Sequence, residues 1–405
     1  MHPSDERMTI LYFGNQWFAE NRTSSHQLAR QLARQHRVLY FQCPGLRAPA
    51  GSGRDVKKIF AKLWAFVKGG EKVPEGLTVR TLLQLPLHRF AWVRWLNRVI
   101  VKATVRVVMW REGIRQPVTW FHIPHLPYLV NALGERLAVY YCIDDYSALP
   151  GVNVAAVQAM DDETTRRADL VFVASDTLEE RKRELNPDTH ISPHGVDVKH
   201  FARALDKSRP VPSDMAHLRG PVIGFFGLIE KWIDLELVDY LAAQRPNWTF
   251  VMIGRVASPA VELPRRANLH FLGVRSYDDL PDYGRQFDAA IIPYRLTRQV
   301  LNANPIKLRE YLAMGKRVVS VDTPHIRKFA DVVEIAGSCE EFLAKLDFVL
   351  SQPCTREATI NRITRVASSS WDHRVADVLR TIRQHMDERS AAVQQPQHSE
   401  LQATA

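Results

Sequence analysis

Cysteine is scarce: four in 405 residues (Cys43, Cys142, Cys339 and Cys354), scattered without metal-ligand spacing. That pattern excludes a disulfide scaffold and a zinc cage, and it predicts reduced thiols in a cytoplasmic protein. Long apolar runs are missing too. No stretch of about 18 uncharged apolar residues occurs, so no membrane-crossing helix is expected. The opening MHPSDERMTILYF carries acids and lacks an apolar core, so it does not read as a secretory signal. No acidic DxD triplet closes a strand, and neither a metal nor another cofactor is expected.

Acids run short in one region. Between Arg54 and Arg115, fourteen Lys and Arg stand against four acids (Asp55, Glu71, Glu75 and Glu112), and that difference of ten equals the net charge of the whole chain. A basic segment in an otherwise balanced chain points to an anionic partner surface. Residues 54–68 and 88–115 read as basic, aromatic helices. In the second, Arg94, Arg98, Lys102 and Arg106 recur every four residues beside Trp92, Trp95 and Trp110. Such a face suits an anionic membrane surface contacted through residues 54–115. A core helix with a solvated basic side is the plainer reading. No nucleic-acid recognition module accompanies the charge, so nucleic acid is not expected as a partner.

What the chain has in quantity is short apolar strands alternating with helical patterns. Strands are expected at 8–13, 37–42, 77–83, 117–122, 137–143 and 169–174, and again at 221–227, 249–254, 268–273, 289–293, 317–321 and 332–335. Alternation of this kind predicts an α/β fold of two doubly wound, Rossmann-like domains with parallel sheets. The length fits two cores of about 150–200 residues each. Residues 1–205 are assigned to the first domain, 206–219 to a polar, proline-rich linker and 220–370 to the second domain. A final helix over 371–389 and a disordered tail over 390–405 complete the chain.

The stretch from Asp288 to Asp322 (DAAIIPYRLTRQVLNANPIKLREYLAMGKRVVSVD) organises the second domain. It predicts a strand, a polar loop, a helix from about Pro305 to Met314, Gly315 as a left-handed stop, and another strand. Lys307 and Glu310, three apart, share a face of that helix. A strand, a loop and a helix N-terminus together make an anion and ribose site at the carboxyl edge of a parallel sheet.

With these pieces assembled, the chain resembles glycosyltransferases of the GT-B fold, in particular the large retaining nucleotide-sugar family (glycosyl transferases group 1). Four segments carry the resemblance: PHGVDVKHF (193–201), GPVIGFFGLIEKW (220–232), NWTFVMIG (247–254) with NLHFLGVRSYDDLPDYGRQFDAAIIPY (268–294), and NPIKLREYLAMGKRVVS (304–320). The resemblance implies two domains facing across a cleft, acceptor side first and nucleotide-sugar side second, with the C-terminal helix packing back toward the first domain. It implies transfer of a hexosyl group from a nucleotide diphosphate sugar to a hydroxyl of a glycan or lipid-linked acceptor in cell-surface polysaccharide synthesis. The protein would sit in the cytoplasm, at the inner membrane face. An epimerase of the same fold and a catalytically silent glycan-binding homologue are the alternatives.

By the same resemblance Glu310 is the second of two family glutamates and approaches the nucleotide ribose. Counting back eight residues reaches Asn302, so the first glutamate is absent. The arginine that often follows the phosphate-loop glycine is also absent: Gly227 is followed by Leu228, and Lys231 is the basic residue left, with Arg255 as a substitute. Asn304, Pro305 and Lys307 complete the expected donor set. On the acceptor side, Asp144 or Asp145 stands where many relatives have a histidine and is a candidate base. Gly14, Asn15, Arg22, His26, His122 and His125 are the other acceptor-side candidates, with turn or core histidines as the plainer reading of the last two.

Overall fold

The computed structural model describes residues 7–18, 23–43, 70–73, 76–82, 91–149, 151–257 and 261–394. They form two compact units, one of residues 1–193 with 374–405, the other of residues 194–373.

The first unit is built on an eight-stranded sheet in the order β3-β4-β2-β1-β5-β6-β7-β8. These are β1 (Thr9–Gly14), β2 (Arg37–Gln42), β3 (Glu71–Lys72), β4 (Thr78–Thr81), β5 (Val118–Phe121), β6 (Leu137–Cys142), β7 (Leu170–Val173) and β8 (Thr189–Ile191). All pairs are parallel except β3 with β4, a short antiparallel edge. Rings in adjacent strands fix the register. On one face Tyr40, Tyr12, Trp120, Tyr141 and Phe172 stack in series at 5.1, 5.8, 5.6 and 5.9 Å. On the other, Phe41, Phe13 and Phe121 do the same at 5.2 and 4.9 Å. A one-residue slip would move each ring to the opposite face, so this pattern resists it.

The second unit has six strands, all paired in parallel, in the order β11-β10-β9-β12-β13-β14. They are β9 (Val222–Phe226), β10 (Thr249–Ile253), β11 (Leu269–Gly273), β12 (Ala289–Ile292), β13 (Arg317–Val321) and β14 (Glu334–Ala336). Alternate residues of each strand feed two cores: Phe226, Ile253 and Ile292 point into one, Phe225, Met252 and Ile291 into the other. Strand order reverses between β9 and β12, and sheets of this kind bind ligands at such a switch point, beyond the carboxyl ends of the strands.

Three expectations change. The units divide at Pro193/His194, not at residue 205, and the supposed linker belongs to the second unit. Phe201, Ala204 and Met215 are buried in its core, Phe201 stacks on Phe226, Arg209 forms a two-pronged pair with Asp282, and Arg275 donates to Asp214 at 2.6 Å. Proline-rich composition signalled loops there but not the pairs that pin them. Second, the loop before Asn302 holds a short helix, Arg298–Asn302, started by the Thr297 hydroxyl, which accepts from Val300 N–H. Third, the final helix runs Trp371–Gln394, past the expected stop at 389, because alanines follow there. Its residues from Arg374 onward cluster with the first unit, where Arg389 lies 2.6 Å from Asp169. The expected helix over 54–68, Arg22, and residues 395–405 lie outside the described residues.

Candidate functional site

At the switch point of the second unit, two strands end in glycines that touch. Gly227 follows β9 and Gly254 follows β10, with φ of +156° and +143°. A Cβ on Gly254 would lie 1.8 Å from the Gly227 carbonyl oxygen, and one on Gly227 would lie 3.2 Å from Lys307 Cε. Side-chain-free turns therefore let the backbone close up beneath the Lys307 stem. Gly227 N–H donates to Ile253 carbonyl at 2.8 Å, and Gly254 N–H to Gly273 carbonyl at 2.8 Å.

The helix facing these turns is Ile306–Ala313, with Gly315 at φ +70° just past its end. Lys307 Nζ lies 2.8 Å from Glu310 Oε2 and 4.9 Å above the Phe226 ring. The Glu310 side chain is 5% exposed. Burial raises its pKa above the ordinary carboxyl value, and the Lys307 ammonium acts against that rise. Among the described residues Glu310 Oε1 accepts no hydrogen bond, so one carboxylate oxygen is held and the other is open to a hydroxyl donor. Tyr311 anchors the helix by accepting from Phe226 N–H at 2.9 Å. Tyr294, two residues past β12, is half-buried near Glu310, and its phenol is pushed up by desolvation first and that carboxylate second.

Asn304 and Pro305 have other duties than expected. Pro305 is the cap residue of the helix, while Asn304 Oδ1 accepts from Arg309 Nη1 at 2.5 Å. Arg309 also meets His325 Nε2 at 3.0 Å and lies over the Phe329 ring at 5.3 Å. Burial, then the Arg309 charge, depresses the buried imidazoles of His194 to about 3 and His325 to about 2. This polar cluster braces the Ile306–Ala313 helix from behind. Sequence reasoning missed it because no local pattern marks Arg309 as the partner of both Asn304 and His325, 5 and 16 residues away.

The remaining second-unit candidates spread out. Lys231 is exposed and lines a groove of 850 Å³ with Glu230, Glu236, Asp239, Glu262 and Arg295. Neither Gly227, Lys307 nor Glu310 lines that groove. Arg255 is exposed, and its carbonyl accepts from Ile229 N–H at 3.0 Å. Asn302 is half-buried at the end of the Arg298–Asn302 helix. The geometry therefore gathers Gly227, Lys307 and Glu310, and leaves Lys231 on another surface.

In the first unit, Gly14 ends β1 where a Cβ would clash with the hydroxyls of Tyr40 and Ser25, at 2.3 and 2.4 Å. Asn15 lends its carbonyl to the Tyr40 hydroxyl at 2.7 Å. His26 is a capping residue: Nδ1 is 3.0 Å from Thr23 N and Nε2 is 3.0 Å from the Gln16 carbonyl. His122 extends the ring stack between Tyr12 and Tyr141 and lies 3.2 Å from the Tyr12 hydroxyl. His125 is half-buried.

The two aspartates after β6 separate. Asp145 is fully buried, 2.9 Å from Arg181, and accepts from Ser147 at 2.7 Å. It holds the loop rather than offering a base. Asp144 is half-buried and accepts from the Asp145 N–H at 2.9 Å, so it is the carboxylate that the loop presents. Beneath them lie Asp161 and Lys182, 2.5 Å apart and each 1% exposed, with the Tyr140 hydroxyl 2.5 Å from Asp161. Among the described residues no three His, Cys, Asp or Glu side chains are grouped to hold a metal ion.

Residues 220–352 match the family described as glycosyl transferases group 1. Over that segment the chain resembles glycosyltransferases of this group. A curated relative, the putative teichuronic acid biosynthesis glycosyltransferase TuaH of Bacillus subtilis, is 26% identical over 327 residues, covering 75% of this chain and 77% of the relative. Solved GT-B structures share the fold. A sucrose-phosphate synthase from Thermosynechococcus elongatus superposes with a TM-score of 0.69 at 13% identity, over 93% of this chain and 99% of that one. HepE of Anabaena, solved with UDP and glucose, gives 0.65 at 12% identity, over 92% and 99%. The matched segment contains Gly227, Gly254, Lys307 and Glu310 but ends before the final two helices.

Proposed function

We propose that the protein transfers a hexosyl group from a nucleotide diphosphate sugar to a hydroxyl of a glycan or lipid-linked acceptor in cell-surface polysaccharide synthesis. The Lys307–Glu310 pair at the sheet switch point carries this reading: a cation and a half-open carboxylate stand side by side above a glycine turn. Glu310 Oε1 accepts from the ribose hydroxyls, and Lys307 faces the diphosphate. Charge grows on that diphosphate as the bond from the anomeric carbon to phosphate oxygen breaks, and a fixed cation stabilises it. The acceptor oxygen bonds to the same carbon and gives up its proton, for which Asp144 is the candidate base. Asn302, in place of a carboxylate, hydrogen-bonds the sugar without charge. Side chains and the helix N-terminus neutralise the donor, so the reaction needs no metal, and it retains the anomeric configuration. The TuaH similarity favours a cell-surface polymer as product. The reading locates the protein in the cytoplasm, at the inner face of the membrane.

A thermal-shift panel of nucleotide sugars, beginning with UDP and UDP-glucose, tests this. A donor at 100 times its Kd stabilises by about 2.7 kcal/mol, which raises the melting temperature visibly. No shift with any nucleotide sugar would overturn the donor assignment.

A further inference from the structure

The Ala91–Arg111 helix of the first unit has two unlike faces. Val93, Val101, Val105 and Val108 are buried on one. On the opposite side, Trp92, Trp95, Val99, Val107 and Trp110 are 61, 65, 46, 41 and 80% exposed. At 100° per residue these side chains, with Ala103, form one continuous stripe along the helix. Scattered exposed apolar residues need no explanation, but three tryptophans in one row do. Cations border the stripe: Arg98 and Arg106 are exposed on one flank and Arg111 on the other, with Lys102 half-buried between the first two. The helix contains no acid, and the acid that follows it, Glu112, is consumed by Arg37 and Arg80 at 2.6 and 2.5 Å.

We propose that this face is a membrane-contact surface: the helix lies flat on an anionic bilayer with the tryptophans at headgroup depth and the cations against lipid phosphate. Indole rings combine a large apolar body with one polar N–H and so favour the bilayer interface. No described helix is long and apolar enough to cross a membrane, so the contact is peripheral. The charge pattern argues against a second copy as the occupant. A two-fold contact through this stripe would set Arg98 and Arg106 of one molecule against the same cations of the other. A bilayer rich in anionic lipid instead attracts every one of them, and the excess of ten positive charges between residues 54 and 115 adds to the pull. The inference rests on the proposed function only in placing the acceptor at a membrane.

The test is flotation of the full chain with vesicles of equal parts phosphatidylglycerol and phosphatidylcholine, against vesicles of phosphatidylcholine alone. Neither donor nor acceptor is present, so this result and the donor-binding result fail independently. Wild type should float with the anionic vesicles and be released by salt. The double variant Trp95→Ser/Trp110→Ser should bind at least about tenfold more weakly, since burying one large apolar side chain already contributes about that factor. Trp95→Phe/Trp110→Phe should retain most of the binding, and both variants should melt like wild type because the replaced rings are exposed. Wild type that stays with the soluble fraction at low salt would overturn the proposal. So would undiminished binding of the serine variant, which would mean charge alone, or a wild-type dimer that the serine variant dissolves while no vesicle binding is seen.

Discussion

The carbonyl oxygen of Gly227 occupies the space a side chain on Gly254 would need, 1.8 Å from the position of its Cβ. Gly254→Ala must therefore push apart the two turns beneath the Lys307 stem, and its φ of +143° adds strain. A cost of roughly 3 kcal/mol or more is expected. Gly273, at φ +73° with open space around it, is the control, and its alanine variant should cost only about 1–2 kcal/mol. Urea unfolding of both variants makes the comparison. Equal losses would mean that the close approach is not rigid.

Glu310 separates binding from stability. A carboxyl with a raised folded pKa contributes stability that is fully present below its ordinary value of 4.5 and is lost as pH rises through the folded value. Glu310→Gln removes that liability. At pH 8 the variant should be at least as stable as wild type, and the relative gain should vanish below about pH 4. Its affinity for a nucleotide sugar should nonetheless fall about tenfold, the worth of a hydrogen bond to a charged group. Calorimetric titration and unfolding at both pH values would show this. A variant that loses stability at pH 8 and keeps its affinity would make the pair a structural ion bridge.

Local signals made much of this legible in the sequence. The strand, loop, helix and Gly315 stop of residues 288–322 follow from apolar runs and cap chemistry, and Lys307 and Glu310 meet because three residues is nearly one turn. Lys231 misled because its neighbourhood in sequence resembles a phosphate loop, whereas Asp234 caps the following helix and Ile233 pairs with Tyr294, which sends Lys231 to another groove. Asp145 misled for a different reason. Its partner Arg181 is 36 residues away, and no local pattern distinguishes a buried, paired aspartate from its half-buried neighbour Asp144. The linker failed likewise, since Arg209 and Asp282 find each other only in the folded unit.

The histidines around Arg309 predict acid sensitivity. His194 and His325 stay neutral in the native state down to about 3 and about 2, while in the unfolded chain they take up protons below their ordinary 6.5. The unfolded state therefore binds more protons between those limits, and stability falls as pH drops below 6.5. Each contributes up to about 1.4 kcal/mol per pH unit in that window. Melting of wild type and of His325→Gln between pH 7 and 4 should show the variant losing less. Parallel curves would assign the acid sensitivity elsewhere.

Asp161 and Lys182 are the deepest ion pair described, and they lie under the loop that presents Asp144. Removing one charge strands the other in the core. Lys182→Met should therefore cost about 3–5 kcal/mol, and Lys182→Met with Asp161→Asn should recover much of it, because the buried charge has gone and the Tyr140 hydroxyl keeps an acceptor. The same single variant should lower turnover more than the double, since Arg181 is 3.8 Å from Asp161 and holds Asp145 at 2.9 Å. An unpaired Asp161 would draw Arg181 inward and slacken the loop at Asp145. A double-mutant cycle in urea, run beside turnover with a donor found by the thermal-shift panel, measures both. Additive losses in stability would show that the pair is not coupled, and equal turnover in single and double variants would detach it from the presentation of Asp144.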